Sequence, residues 1–291
     1  MRPAKILATI PMPNPSCCGV GQQAVWGLGH HNDVLYRIDP NTNRIVGRWR
    51  VADFQTGIPE PQAGAVWIPS SAGQLIRFDP ISGHVVSRIP IRGAAVQYAY
   101  EHTWETTLDH TLVRIDIQTD KARRLTRYAA GANDWVDGIT YGAGDIWIGV
   151  GDTGQLLRVD PTSGRILHRI FLGNTHSELV AVYDDGAVWA FRFVGGQQIL
   201  FRIDPATNAI TARIPVGPPN GSLPNGGIAA GDGYIWTCDW DGKLSKVDER
   251  TNRVFARYTI PSVAENVTFG DGSLWAAAYD ASEVYRIDPG D

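Results

Sequence analysis

The sequence predicts an all-β protein, a seven-bladed β-propeller with four antiparallel strands in each blade. Two columns of residues repeat in step along the chain and predict this fold. Arg-Ile-Asp-Pro or a close variant occurs seven times, with aspartates spaced by 40, 37, 44, 44, 44 and 40 residues: Asp39, Asp79, Asp116, Asp160, Asp204, Asp248 and Asp288. A tryptophan precedes each aspartate by 12 to 15 residues: Trp26, Trp67, Trp104, Trp147, Trp189, Trp236 and Trp275. Units of about 40–45 residues are typical of propeller blades.

Each unit is predicted to contain four strands. A short first strand ends in a Gly/Asp turn, and the second strand carries the tryptophan. The third strand is apolar on both faces: Leu35 and Ile38 lie an odd number of residues apart and so face opposite sides of the sheet. A strand buried between neighbouring blades requires apolar side chains on both sides. An Asp-Pro turn follows, ending in Asn or Gly, and a fourth strand alternates aliphatic residues with arginine.

The N-terminus is predicted to close the ring. The last unit lacks a fourth strand, and residues 4–12 match the pattern of one. We therefore expect residues 4–12 to complete the blade that begins at residue 262, which removes an exposed sheet edge. Residues 1–291 then form a single domain, with blades at 16–52, 56–92, 94–129, 133–173, 177–217, 222–260, and 262–288 plus 4–12.

The bulk composition restricts the partners. A formal charge of −4 gives no electrostatic reason to expect nucleic acid or an anionic membrane. The N-terminus lacks the apolar core of a signal peptide, and no apolar run reaches transmembrane length. Cys17, Cys18 and Cys238 are too few for a disulfide framework, so we expect a cytoplasmic protein. The oligomeric state stays open.

We expect function at the end of the ring where the units differ. The first–second and third–fourth turns are short and regular in every unit, whereas the second–third turns and the connections between blades differ widely. Loops that vary on a repeated scaffold are the usual carriers of function. We call this the variable end. The repeated arginine, tryptophan and Asp-Pro positions are assigned to the scaffold.

Aromatic side chains are predicted to gather at the variable end. Four lie four residues after a repeat tryptophan, in the predicted second–third turns of consecutive blades, and Trp135 is a further tryptophan outside the repeat column. They are interpreted either as packing that shields the loops or as a platform for a planar or apolar ligand. The predicted substrate-binding residues are Trp135, Trp240, Phe193, Tyr279, His30 and Asn266.

Histidines and carboxylates are also predicted there. A histidine beside a carboxylate suits general acid–base catalysis because its pKa lies near neutrality. The predicted catalytic residues are His176, His31, Glu178 and Glu265. Carboxylates converging from several blades could hold Mg²⁺, and the candidate ligands are Asp137, Glu178 and Glu265. The alternative for each residue is a turn cap or a solvated surface group.

Other motifs carry less information. Glu60, in Pro59-Glu60-Pro61, is interpreted as an acid lining the channel from an inner strand, with no evident partner. Cys17-Cys18 is interpreted as two small loop residues rather than a redox pair. The sequence contains no P-loop, GxSxG, HExxH or CxxC motif, and hence no motif for an organic cofactor.

The repeats resemble those of a known family. GITYGAGDIWIGVGDTGQLLRVDPTSGRILHRIFLG at 138–173 and GGIAAGDGYIWTCDWDGKLSKVDERTNRV at 226–254 are similar to the repeat of the streptogramin (virginiamycin B) lyases and of related YVTN-type propellers. The resemblance implies an intracellular seven-bladed propeller that linearises a cyclic depsipeptide by Mg²⁺-dependent elimination, with a histidine base and nearby glutamates. The lyases commonly read Trp-Phe-Thr-Glu along the second strand. Here Asp239 is the one acid at the third position after a tryptophan.

Two functions remain open from the sequence. The first is a lyase or cyclase that acts by acid–base chemistry on a bulky small molecule, such as a natural product, at the channel mouth. The second is a propeller without chemistry that binds a ligand or a protein through its variable end. A sugar- or quinone-dependent oxidoreductase is a third and weaker interpretation.

Overall fold

Seven sheets of four antiparallel strands, one for each repeat unit, surround a central channel, and one of these sheets carries a fifth, parallel strand at its edge. The computed structural model describes residues 2–3, 5–29, 32–51, 57–70, 72–129, 138–173, 177–218, 226–239, 241–262, 264 and 266–290. This confirms the predicted fold class. Within those ranges no helix is long and apolar enough to cross a membrane.

The strands follow one another from the inside of each blade to the outside. The chain begins with β1 (Arg2–Pro3) and β2 (Lys5–Pro11). Blade 1 contains β3 (Pro15–Gly21), β4 (Ala24–Gly29), β5 (Val34–Asp39) and β6 (Arg44–Arg50). Blade 2 contains β7 (Glu60–Gln62), β8 (Ala65–Ser70), β9 (Gln74–Asp79) and β10 (His84–Ile89). Blade 3 contains β11 (Gly93–Ala99), β12 (His102–Thr107), β13 (Thr111–Asp116) and β14 (Ala122–Arg127).

The remaining blades have the same layout. Blade 4 contains β15 (Gly138–Gly142), β16 (Asp145–Val150), β17 (Gln155–Val159) and β18 (Ile166–Phe171). Blade 5 contains β19 (Val180–Asp184), β20 (Ala187–Val194), β21 (Gln197–Asp204) and β22 (Ala209–Pro215). Blade 6 contains β23 (Ile228–Gly231), β24 (Tyr234–Cys238), β25 (Lys243–Asp248) and β26 (Arg253–Thr259). Blade 7 contains β27 (Asn266–Gly270), β28 (Ser273–Ala278) and β29 (Glu283–Asp288).

The N-terminal strand closes the ring, as the sequence predicts. Strand β2 pairs antiparallel with β29, from Lys5 opposite Asp288 to Pro11 opposite Glu283. The first strand of every blade contacts the first strand of the next, and β27 contacts β3. One feature was not predicted: β1 pairs in parallel with β26, so the N-terminal segment joins blade 6 as well as blade 7.

The tryptophan column fills the interfaces between blades. All seven repeat tryptophans are buried, and each packs against the following blade, as Trp26 does against Val66 and Phe78 of blade 2. Indole nitrogens donate to the carbonyl five residues earlier in several blades; Trp147 reaches Gly142 at 3.1 Å. The apolar third-strand positions represented by Leu35 and Ile38 are also buried throughout.

A cation lies over every repeat tryptophan, and six of the seven cations also bond to described residues of the next blade. The cation centres stand between 5.2 and 5.9 Å from the indole centroids, with Lys246 replacing arginine over Trp236. Arg77 donates to the carbonyl of Ile117 at 2.9 Å, and Lys246 donates to the carbonyl of Pro289 at 2.8 Å. Cation–π contact and hydrogen bonding therefore give these residues a structural role.

Candidate functional site

The variable end brings together residues from blades 5, 6 and 7. Because all blades share one topology, the first residues of the inner strands and the last residues of the second strands lie at the same end of the ring. Glu178 stands just before β19, Cys238 ends β24, and Asn266 begins β27. Three consecutive blades thus place a carboxyl, a thiol and an amide around this end of the channel.

The Cys238 thiol lies at the centre of this group. Its Sγ accepts a hydrogen bond from the Gly227 amide at 3.0 Å and donates to the Ala264 carbonyl at 3.4 Å. A Cβ at Gly227 would stand 2.2 Å from Asn266 Oδ1, so blades 6 and 7 are in close contact here. Burial raises the pKa of the Cys238 thiol to about 12, and the nearby carboxyl of Glu178 is among the groups that raise it. At neutral pH Cys238 is therefore a thiol and not a thiolate nucleophile.

Asp239 is held inside the same end by its own turn. Its Oδ1 accepts hydrogen bonds from the amides of Asp241 at 3.0 Å and Lys243 at 2.9 Å. Its Oδ2 accepts one from Gln198 Nε2 of blade 5 at 3.4 Å. Burial raises the pKa of Asp239, against the effect of these bonds. The carboxyl thus caps a turn and links two blades, which is a structural role.

Blades 4 and 5 meet over a buried arginine. Arg192, on β20, is fully buried, and its Nη2 donates to the Gly151 carbonyl at 3.5 Å. A Cβ at Gly154 would lie 2.5 Å from Arg192 Nη1, so only glycine leaves room for the guanidinium. Burial lowers the pKa of Arg192 to about 10, which leaves the guanidinium charged at neutral pH. A fixed positive charge therefore lies beneath the loops of the variable end.

A histidine and a carboxylate face each other between blades 3 and 4. Nε2 of His110, a fully buried residue in the turn after β12, lies 3.8 Å from Oδ2 of Asp152. The imidazole also meets the Tyr128 ring edge-on, with centroids 5.7 Å apart. Since His110 has no exposed surface, its imidazole can position neighbouring groups but cannot touch a bound molecule in this conformation, whereas the Asp152 side chain is partly exposed.

The structure describes Glu178, Phe193, Tyr279 and Asn266 among the predicted site residues. Glu178, Tyr279 and Asn266 are half-buried at the variable end, and Asn266 Oδ1 accepts a hydrogen bond from the Val267 amide at 2.8 Å. The predictions for His30, His31, Trp135, Asp137, His176, Trp240 and Glu265 lie outside the described residues.

The placement of Phe193 in a turn is wrong. Strand β20 continues to Val194, and Phe193 pairs with Gln198 on β21. The turn is the two-residue Gly195-Gly196, in which both glycines have positive φ, as a tight hairpin requires. Only 9% of the Phe193 surface is exposed, so its ring mainly packs the end of the blade.

The predicted metal site can be examined only at Glu178, since Asp137 and Glu265 lie outside the described ranges. In the part of the chain that the structure describes, no group of three or more His, Cys, Asp or Glu side chains has the arrangement of a metal site. The Mg²⁺ assignment therefore stays a prediction.

Sequence reasoning did not identify Arg192 or Gln198. Both face an adjacent blade at the variable end, so each meets a partner about 40 residues away in the chain. Arg192 had a usable signal: it occupies the third position after Trp189, where blade 4 has Val150. Arg192 and Asp239 are the two charged residues among the seven in this column, and a charge at the end of a buried strand indicates a special environment.

Comparison with solved structures confirms the resemblance at the level of the fold. Virginiamycin B lyase from Staphylococcus aureus has 17% sequence identity and a TM-score of 0.79, covering 97% of this chain and 98% of that one; a catalytically inactive form of it is also known with quinupristin. Kuenenia stuttgartiensis hydrazine synthase has 11% identity, a TM-score of 0.80 and 96% coverage of both chains. BamB from Moraxella catarrhalis has 14% identity, a TM-score of 0.69, and coverage of 98% and 99%.

The chain matches no protein-family model and no curated protein sequence. At these identities, likeness to solved structures establishes a propeller shared by proteins of different function.

Proposed function

We propose that the protein is a streptogramin-lyase-like enzyme that carries out acid–base elimination or cyclisation on a bulky small molecule at the variable end. The observation that carries the proposal is the convergence of Glu178, Cys238 and Asn266 from three consecutive blades. An elimination site needs a base, a polar group that orients the substrate, and no competing nucleophile. The protonated Cys238 thiol meets the last condition.

Glu178 and His176 are proposed to carry out the proton transfer from the substrate. His176 lies two residues before Glu178 in the chain, and the lyase resemblance assigns a histidine as base. In an elimination across an ester, the base removes a proton from the carbon adjacent to the alkyl carbon that bears the ester oxygen, and keeps that proton. The electron pair forms a C=C bond, and the alkyl carbon–oxygen bond breaks to release a carboxylate. Asn266 is proposed to orient the substrate through its amide.

Mg²⁺ is part of the proposal, with Asp137, Glu178 and Glu265 as ligands. Its chemistry would be to polarise a substrate oxygen as a Lewis acid. A thermal shift produced by MgCl₂ in wild type and absent from Glu178→Gln would support this, whereas equal shifts in both proteins would remove Glu178 from the ligand set.

The reaction is tested with quinupristin as the probe, because a related propeller is known with that compound. Elimination opens the ring without a change of mass, whereas hydrolysis adds the mass of one water molecule, so mass spectrometry with chromatography separates the two. We expect ring opening without mass change by wild type and its loss in Glu178→Gln and His176→Ala. Asp241→Asn is the matched control, since Asp241 is an exposed acid of the same end outside the proposed site.

Other outcomes point elsewhere. Hydrolysis, or full activity in Glu178→Gln, would refute the assignment of Glu178 in elimination. Saturable binding of quinupristin without turnover would favour the alternative of a binding propeller. No binding would exclude this class of cyclic depsipeptide as the ligand.

A further inference from the structure

The central channel contains an acid that the proposed reaction does not use. Glu60 lies on β7, the first strand of blade 2, between Pro59 and Pro61, neither of which has a backbone N–H to donate. Strand β7 is wedged against blade 1: a Cβ at Gly19 would lie 1.9 Å from the Pro59 carbonyl oxygen, and a Cβ at Gly21 would lie 2.4 Å from that of Pro61. The backbone that carries Glu60 is therefore held tightly.

One carboxyl oxygen of Glu60 has partners in blade 3. Its Oε1 accepts a hydrogen bond from Gln97 Nε2 at 2.8 Å and a long one from the Tyr98 amide at 3.5 Å. This corrects the sequence interpretation that Glu60 has no partner. No described residue donates to Oε2, and the side chain is only half-buried. Since β7 is an innermost strand, the space open to Oε2 is the channel.

Glu60 is the one charged residue at its level of the channel wall. The register of each first strand against its tryptophan defines this level, and all seven residues are described: Gly19, Glu60, Gln97, Thr140, Val182, Ala229 and Thr268. The strands that pack against β7 are β3, β8 and β11. Their titratable side chains are Cys17, Cys18 and Tyr98, so no cation on these strands neutralises Glu60.

The opposite end of the channel is also negative. The seven first–second turns contain acids and no lysine, arginine or histidine, and all of these turns are described; the acids are Glu101, Asp185, Asp232 and Asp271. A pore with acids at its entrance concentrates cations and steers them inward. Charge therefore favours a positive occupant beside Glu60.

We propose that Glu60 anchors a small organic cation, of the primary alkylammonium class, inside the channel at a site separate from the variable end. An ammonium has three N–H donors. Glu60 Oε2 is one acceptor, and the amide oxygen of Gln97 is a second, because Gln97 uses its nitrogen to hold Glu60 Oε1. Val182, half-buried at the same level, gives the alkyl chain an apolar contact. A metal ion fits less well, because the described residues offer no cluster of ligands.

Binding would be coupled to a proton. Burial raises the pKa of Glu60 to about 7, opposed in part by the Tyr98 hydrogen bond. The carboxylate form binds the cation, so affinity should fall about tenfold per pH unit below 7. Near pH 7 wild type should release part of a proton on binding, which calorimetry in buffers of different ionisation enthalpy measures without any variant.

The test uses n-propylammonium chloride, with n-propanol as the neutral probe and NaCl to match ionic strength. By titration calorimetry at about pH 8, well above the Glu60 pKa, we expect wild type to bind n-propylammonium saturably and n-propanol not at all. Glu60→Gln keeps an acceptor for Gln97 but removes the charge, and should bind at least about tenfold more weakly. Glu101→Gln, a change of an acid at the channel entrance, should bind within about threefold of wild type.

Three results would overturn the site. The first is that wild type does not bind n-propylammonium saturably, and the second is that Glu60→Gln binds it as tightly as wild type. The third is that Glu101→Gln loses as much affinity as Glu60→Gln, which would show only a general electrostatic attraction of cations to the channel. If Glu60→Gln failed to fold, the absence of proton release from wild type would decide against the site. None of these readouts involves turnover at the variable end, so the two proposals fail independently.

Discussion

Ring closure by the N-terminal strand can be tested with two substitutions in one strand. In β2, Ile10 is 2% exposed and packs with Trp275 and Val284, whereas Leu7, three residues earlier, is 46% exposed at the bulge between Ile6 and Ala8. Both are large aliphatic residues in the strand that closes the ring. Replacing either residue with alanine removes three carbon atoms, from a buried site at Ile10 and from an exposed site at Leu7.

The expected magnitudes differ widely. Ile10→Ala should lower the free energy of unfolding by about 3 kcal/mol, within the roughly 2–5 kcal/mol observed for buried Ile or Leu to Ala changes. At about 2–3 °C per kcal/mol for a domain of this size, the Tm should fall by about 6–9 °C. Leu7→Ala should change stability by no more than about 0.5 kcal/mol, as expected for an exposed position.

Circular dichroism melts and urea unfolding of both variants measure the difference. A loss in Leu7→Ala as large as in Ile10→Ala, or larger, would refute the pairing of β2 with β29 described above. A shift of one residue exchanges the two faces of a strand, so that result would indicate a different register. Two small effects would indicate that β2 does not close the ring in solution.

Two further predictions concern buried charges. Both carboxyl oxygens of Glu105 are buried without a hydrogen-bond donor among the described residues, and burial raises the pKa of Glu105 well above its usual 4.5. The folded chain therefore holds a proton that the unfolded chain releases, so the free energy of unfolding of wild type falls as pH rises above about 4.5. Measured by urea unfolding, the free energy of unfolding of Glu105→Gln relative to wild type should increase between about pH 5 and about pH 8. A difference that stays constant with pH would contradict the pKa assignment. Arg158 lies over Trp147, bonds to the buried Asp145 of its own blade at 2.6 Å and donates to the Pro205 carbonyl of blade 5, so Arg158→Met should cost about 3–5 kcal/mol. The matched change, Arg124→Met at an exposed arginine, should cost less than about 1 kcal/mol. Equal changes in Tm in the two variants would show that Arg158 does not hold neighbouring blades together.

Several features of the site could be predicted only in outline. The sequence placed Glu178 and Asn266 at the variable end because strand order alone decides which end a residue occupies. It could not show that the charge of Glu178 acts on Cys238, since the distance between them depends on how blades 5 and 6 pack. The position of Phe193 was wrong because the blade 5 hairpin is longer than its neighbours, and a glycine pair does not reveal where pairing stops.

By itself the sequence determined the number of blades, the buried columns and the strand that closes the ring. Each of these is local chemistry repeated seven times: an aspartate begins a turn, a tryptophan fills an interface, and an alternation of aliphatic residues marks a strand. Only the tertiary structure decided which residues and strands meet across blades: Gln97 bonds to Glu60, Gly227 lies against Asn266, and β1 pairs with β26. Such contacts join residues from about 37 to more than 250 positions apart in the chain, and they depend on the twist and spacing of neighbouring sheets, which a repeat pattern does not encode.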